Sequence, residues 1–239
     1  MFLLNKKRII FITSSIVISI LYSSITDFLN PNTIYTSSTP ITNRCIILDA
    51  GHGIPDGGAI NSTGEIIEST LNLQIVLKLQ NLLESNNCNV ILTRSDENGI
   101  YEIDSNSIKE KKISDMKNRV KIANNSEADV FISIHMNKLK DTKYSGWQTF
   151  YKNKNYESKI LAQNIQSSLN SFMKKDNSRQ IKSISNIYLA KHVQIPFVIV
   201  ECGFLSNPEE SQLLTNENYQ NSLAWSIYIG IMDYFKDWL

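Results

Sequence analysis

The chain has 239 residues, 42% of them hydrophobic, enough for one substantial core and at most two domains. A formal net charge of +1 excludes both a global basic field suited to nucleic acid and the acidic excess typical of disorder. The three cysteines, Cys45, Cys88 and Cys202, are widely spaced among apolar neighbours, so they read as buried packing and not as a disulfide framework.

Residues 1–25 place Lys6, Lys7 and Arg8 ahead of a mainly apolar run beginning at Ile9. This is the layout of an export signal, read either as a removed peptide or as an uncleaved signal anchor. The run is short and interrupted by serines, whereas a comfortable bilayer span needs about 20 residues. Positive charge stays cytoplasmic, so everything beyond Asn30 is expected outside the membrane. Segment 26–43 is polar, carries two prolines and reads as a linker, leaving 44–239 as the catalytic domain.

From Arg44 the pattern alternates. RCIILD (44–49) predicts a strand, and residues from Glu65 to about Asn86 predict a helix with an apolar stripe at Ile67, Leu71, Ile75, Leu79 and Leu82. CNVILT (88–93) is again strand-like, and 95–112 is a polar loop. A helix from about Ser114 to Ser126 leads into strand DVFISIH (129–135). GWQTFYK (146–152) alternates like an edge strand, and Tyr156–Phe172 is an amphipathic helix. NIYLA (186–190) and PFVIVECG (196–203) read as strands, the second wholly apolar and therefore central; a last helix covers about Asn218–Phe235. The expected fold is one α/β domain: a mostly parallel twisted sheet of about six strands flanked by helices.

In such sheets, sites form outside the carboxyl ends of the strands. Three strand ends deliver His52, His135 and Glu201, and Glu68 opens the helix that follows His52. Two imidazoles and a carboxylate suit zinc, which takes three protein ligands at catalytic sites and leaves one position open. A second carboxylate outside that set can move a proton. Each residue has a plainer reading alone: a hydrogen-bonded histidine, or an acid at a helix start, where Glu65 competes with Glu68. Glu201 is harder to dismiss, because a carboxylate closing an apolar strand is costly to bury alone.

Two rival constellations are weaker. Cys202 with a nearby histidine could make a thiol hydrolase, but it follows Glu201 directly and so faces the other side of its strand. The glycines at 51, 53, 57 and 58 lack the G-x-G-x-x-G and Lys-Ser/Thr context of a phosphate cradle. His192 lies in a polar stretch and reads as a surface residue.

These residues fall within motifs that resemble the zinc-dependent N-acetylmuramoyl-L-alanine amidases of bacterial cell walls. The matching pieces are LDAGHG…DGGA (48–59), Glu68 with Asn72, VILTRSD (90–96), Arg119 with Ala123, Asn124, Ala128 and Asp129, SIHMN (133–137), and VECGFLSNPEE (200–210). The resemblance implies Zn²⁺ held by His52, Glu68 and His135, with Glu201 as the catalytic glutamate. It also implies hydrolysis of the amide between N-acetylmuramic acid and L-Ala in peptidoglycan. Met136 and Ser69 depart from the usual family residues without touching that chemistry.

YSGWQTFY (144–151) and SRQIKSISNIYLAK (178–191) narrow the resemblance to the spore-cortex amidases of endospore formers. These strip stem peptides so that muramic-δ-lactam can form, in concert with a deacetylase, and some clostridial members rely on a lipoprotein partner. On that likeness the substrate is a peptidoglycan glycan strand with its stem peptide, with Trp147 and Tyr151 lining the glycan groove and Arg179 touching substrate carboxylates. Two other functions fit the same residues: a zinc carboxypeptidase trimming the far end of the stem, and a non-catalytic wall-binding module.

Overall fold

Apolar strands separated by polar turns and amphipathic helices can bury their surfaces only by layering, and the chain does so around a single sheet. The computed structural model describes residues 15–19, 39–102, 104, 107–173 and 176–236. The chain divides into two compact units, Met1–Ser38 and Thr39–Leu239. In the first, residues 15–19 are helical (α1), and most of the expected export segment and linker lies outside the described residues. No described helix is long and apolar enough to cross a membrane. The second unit begins ahead of Arg44, because Ile41 is fully buried in its core and Thr39 donates to the Asn86 carbonyl.

In chain order the second unit runs β1 (Cys45–Ala50), α2 (Glu68–Glu84), β2 (Asn89–Leu92), α3 (Ile108–Asn124), β3 (Val130–Asn137), β4 (Gln148–Lys152) and α4 (Tyr156–Phe172). It continues with β5 (Lys182–Ile184), α5 (Tyr188–His192), β6 (Phe197–Phe204), α6 (Pro208–Thr215) and α7 (Glu217–Lys236). The six strands form one sheet in the order β2-β1-β3-β6-β4-β5. β2, β1, β3 and β6 are parallel, β4 runs antiparallel to β6, and β5 is parallel to β4. The sheet is thus mostly parallel, with β6 inside it as its apolar sequence requires.

Alternation along the strands sends successive side chains to opposite layers. Ile46, Leu48, Val198 and Val200 join a large core that includes Ile75 and Leu79 of α2, Ile165 of α4 and Ile227 of α7. Ile47, Phe131, Phe197 and Ile199 face the other way, towards Ala123 of α3 and Leu189 of α5.

Four local expectations are corrected. Helix α2 starts at Glu68 and not at Glu65, because the Asn61 side chain accepts the N–H groups of Glu65 and Ile66 and Ile60 bridges to Ile67. Helix α3 starts at Ile108, well before Ser114, since Ser107 and Glu110 form a reciprocal capping box. Residues 186–190 are not a strand: α5 begins at Tyr188, where the Lys191 and Val193 N–H groups bond back to the Ile187 and Leu189 carbonyls in helical fashion. The short strand β5 precedes it and covers β4, which is therefore not an edge. Helix α6 was not anticipated, although its start carries an Asn cap, Pro at the first helical position and two acidic residues.

Candidate metal centre and active site

The site lies at the carboxyl rim of β1, β3 and β6. β3 and β6 pair with His135 directly opposite Glu201, so sheet register alone brings those two side chains together. β1 ends at Ala50, and the chain turns through Gly51 into His52, which adopts a left-handed backbone (φ 62°). Histidine tolerates that region better than most residues, and such strain is characteristic of functional sites. The turn must be tight at Gly51: a Cβ there would lie 2.3 Å from the His135 ring. Gly58 is similarly constrained, since its Cβ would meet Glu68 Oε2 at 2.6 Å and the His52 ring at 2.7 Å. Glu68 is the first residue of α2 and is almost fully buried.

Glu68 Oε1 lies 3.3 Å from His52 Nε2 and 2.9 Å from His135 Nδ1. The ligating atoms of all three residues fall within 4.8 Å of one another. Donors held about 2.0–2.1 Å from one tetrahedral zinc ion stand roughly 3.3 Å apart, so the His52–Glu68 edge already has that length and the His135–Glu68 edge, at 2.9 Å, is shorter. The set fits a divalent cation in kind as well as in spacing. His52 Nδ1 donates to Asp56 Oδ2 at 2.9 Å, which fixes the tautomer and leaves Nε2 facing Glu68. The Glu68 carboxylate is oriented by the Met136 N–H on Oε1 (3.1 Å) and the Ala59 N–H on Oε2 (2.7 Å).

Charge follows from this packing. Burial alone would lower the His52 pKa, but hydrogen bonds to Asp56 and Glu68 outweigh it and raise the imidazole to about 9. Burial likewise opposes ionisation of Glu68, yet the hydrogen bonds of His135 and His52 hold its carboxyl well below the usual carboxylate range. Glu201 is different. Burial pushes its carboxyl up to about 7, Glu68 adds repulsion, and the two histidines offset part of that. Its Oε2 is buried without a hydrogen-bond partner among the described residues. An orphaned carboxylate oxygen beside a His–Glu–His cluster is what a proton carrier next to a metal would look like.

A cavity of about 190 Å³ is lined by His52, His135 and Glu201 together with the apolar side chains of Met116, Ile187 and Leu189. Lys112 stands at its edge, 3.0 Å from Asp56 Oδ2.

The family model described as N-acetylmuramoyl-L-alanine amidase matches residues 46–233. The chain belongs to that family. A germination-specific N-acetylmuramoyl-L-alanine amidase of Bacillus subtilis (strain 168) is 38% identical over 84% of this chain and 83% of its own length. Among solved structures, the CwlD amidase from Clostridioides difficile in complex with the GerS lipoprotein is 45% identical. It covers 82% of this chain and 100% of its own, with a TM-score of 0.80. An N-acetylmuramoyl-L-alanine amidase from Clostridium difficile 630 is 34% identical, covers 82% and 98% respectively, and has a TM-score of 0.71.

Within this amidase, His52, Glu68, His135 and Glu201 converge as expected from the sequence. Glu65 does not compete: it is exposed and accepts from Thr63. Cys202 is fully buried on the face opposite Glu201, and His192 is exposed.

The aromatic residues expected in a glycan groove are elsewhere. Trp147 is fully buried and donates from Nε1 to Asn170, so it offers no surface to a ligand. Tyr151 pairs with Val198, three positions from the Gln148–Glu201 pair, and so lies on the opposite face from Glu201, packed against the large core. Arg179 lies beside Phe204, the last residue of β6. Its Nε donates to the Ser145 carbonyl at 3.2 Å and its guanidinium lies 4.5 Å above the Phe204 ring. Asp56 and Lys112, which line the cavity, were missed. The first stands four residues after His52, a spacing that could have flagged it, whereas Lys112 reaches the site only through tertiary structure.

Proposed function

We propose that this amidase acts outside the cytoplasmic membrane as a zinc amidohydrolase on the bond between the lactyl group of N-acetylmuramic acid and the stem-peptide L-Ala. One observation carries the mechanism: a buried, unpartnered Glu201 oxygen directly across the sheet register from a histidine of a three-residue ligand set. His52, Glu68 and His135 would hold the ion, which when bound supplies Lewis acidity towards the scissile carbonyl and lowers the pKa of water towards ~7.

The remaining work falls to side chains. Glu201 accepts a proton from the attacking water as its oxygen bonds to the carbonyl carbon, then delivers that proton to the L-Ala nitrogen as the C–N bond breaks. A carboxyl that titrates near neutrality can act in both directions. Asp56 keeps the His52 ring in one tautomer. Arg179, tethered through Nε and stacked on Phe204, has its two Nη groups free of partners among the described residues, an arrangement suited to a stem-peptide carboxylate.

Likeness to the germination-specific amidase and to CwlD supports spore cortex as the wall acted on. The product, muramyl residues without stems, would feed a deacetylase and then muramic-δ-lactam. Because CwlD is seen with a lipoprotein, a lipoprotein is the class of partner proposed.

The test is muropeptide mass spectrometry after digestion with zinc-loaded protein. Bare muramyl residues and freed stems beginning with L-Ala are expected. Released terminal D-Ala would instead identify a carboxypeptidase, and intact stems would refute hydrolysis altogether. Glu201→Gln should reduce turnover by about 10²–10⁴-fold, a loss a non-catalytic wall-binding module would not show.

A further inference from the structure

Ala50, Gly51 and His52 make the tight turn that aims a ligand, and their three carbonyl groups point into the protein. Each is captured by a buried side chain. Arg94 donates from Nε to the Ala50 carbonyl (2.8 Å) and from Nη2 to the Gly51 carbonyl (3.1 Å). Arg119 donates from Nη1 to the Ala50 carbonyl (2.9 Å) and from Nη2 to the His52 carbonyl (2.6 Å). Asn72 adds a second bond to Gly51, from its Nδ2 at 3.0 Å. Arg94 also reaches the carbonyl of Ser69 at 2.8 Å, one residue beyond Glu68, so a single guanidinium ties the His52 turn to the start of α2.

The electrostatics show that packing alone does not account for this arrangement. Arg119 is paired with Asp49 and Asp115, and Asp49 is held in turn by Ser133 and Thr93. Arg94 has no carboxylate partner among the described residues: its four bonds all go to carbonyls, those of Ala50, Gly51, Ser69 and Asp96. Two buried guanidinium groups beside one another are costly. Each lowers the case for a cation nearby unless its geometry returns something, and what both supply is a fixed path for the backbone through a left-handed residue.

We propose that Arg94 and Arg119 are positioning residues: a pair of carbonyl clamps that sets His52 and Glu68 at ligand spacing before any cation arrives. The planar fork of arginine is essential to this role. A lysine ammonium is a single donor centre and cannot span Ala50, Gly51 and Ser69 together. The inference rests on His52, Glu68 and His135 being the metal ligands.

The test uses the full chain and Arg94→Lys and Arg119→Lys variants, stripped of metal and then titrated with Zn²⁺ against a competing chelator. Co²⁺ loading adds a visible spectrum that reports ligand geometry. For variants that keep a cooperative melt, affinity should fall 10–100-fold and the Co²⁺ bands should shift. Unchanged affinity with an unchanged Co²⁺ spectrum overturns the proposal. A wild-type chain that binds neither ion sinks the metal reading itself, a distinguishable failure.

A second measurement needs no variant. The Gly51 N–H donates to Ile134 and the Gly53 N–H to Asp56. In metal-free wild-type protein both amides should already be strongly protected from hydrogen exchange, with Zn²⁺ adding only the further slowing that tighter binding of the closed state brings. Amides that exchange at unprotected rates until Zn²⁺ is added would mean that the cation sets the turn, and the proposal would be overturned.

Discussion

Replacing Glu201 by Gln should destroy activity and, in the metal-free protein, raise stability. Gln keeps the shape of the side chain but never carries the charge that burial opposes. In the folded chain the Glu201 carboxyl titrates at about 7 against an ordinary 4.5. At about 1.4 kcal/mol per pH unit, that gap amounts to about 3 kcal/mol of destabilisation once the group is ionised in both states. The sign follows from which state holds the proton more tightly. Below pH 4.5 the group is protonated folded and unfolded alike, and the two proteins should melt together. Between 4.5 and 7 the unfolded wild-type chain ionises first, so wild type loses ground; above 7 the deficit is constant. For a domain of this size 1 kcal/mol moves the melting temperature by about 2–4 °C, so the Gln variant should melt roughly 6–12 °C higher at pH 8 and no higher at pH 4. Thermal melts in chelator across that pH range are the assay. A gain that is absent at pH 8, or present equally at pH 4, would refute the account of Glu201 as a carboxyl whose ionisation burial opposes.

Four further outcomes follow from the same geometry. Gly51→Ala should weaken Zn²⁺ binding by at least about 10-fold in a chelator competition, because the new methyl group stands 2.3 Å from the His135 ring, which must swing away from Glu68. Zn²⁺ affinity of the wild type should fall as pH drops below about 9, since His52 must release the proton that Asp56 and Glu68 stabilise, and a titration series from pH 6 to 9 reads this directly. Arg179→Ala should raise KM for muropeptides with kcat little changed, whereas Trp147→Phe should leave KM alone and lower the melting temperature, having lost the bond to Asn170.

The four central residues were legible in the sequence because His52, His135 and Glu201 close or follow apolar strands and Glu68 opens the apolar-striped helix α2. A wholly apolar run such as FVIV can only be an inner strand, and what stands at its end is placed by topology. The same logic failed at residues 186–190, where Ile187, Leu189 and Ala190 supply strand-like composition but the run is too short for periodicity to decide. It also misplaced Trp147 and Tyr151. Identifying β4 as a strand said nothing about which face each aromatic would take, and that depends on its antiparallel register with β6. Lys112 escaped for another reason: its partner Asp56 lies on a distant loop whose path is set by turns such as the one at His52.

This division has a physical basis that also bears on how the site keeps its precision. His135 and Glu201 are fixed relative to one another by a ladder of main-chain hydrogen bonds, and a slip of one residue would send either to the opposite layer. His52 and Glu68 have no such ladder between them. They are separated by a long loop, and their spacing depends on side chains that capture carbonyl groups, namely Arg94, Arg119 and Asn72. Damage should therefore express itself differently in the two halves. Substitutions along β3 and β6 that tilt the strands should cost stability and activity together. Substitutions in the carbonyl clamps should leave the fold largely standing and show first as loss of the cation, since the turn they hold is one residue deep in a sheet already anchored by two cores. Comparing the melting temperature of metal-free variants with their Zn²⁺ affinity separates the two classes, and clamp variants that lost stability in proportion to affinity would show that the turn belongs to the core and not to the site.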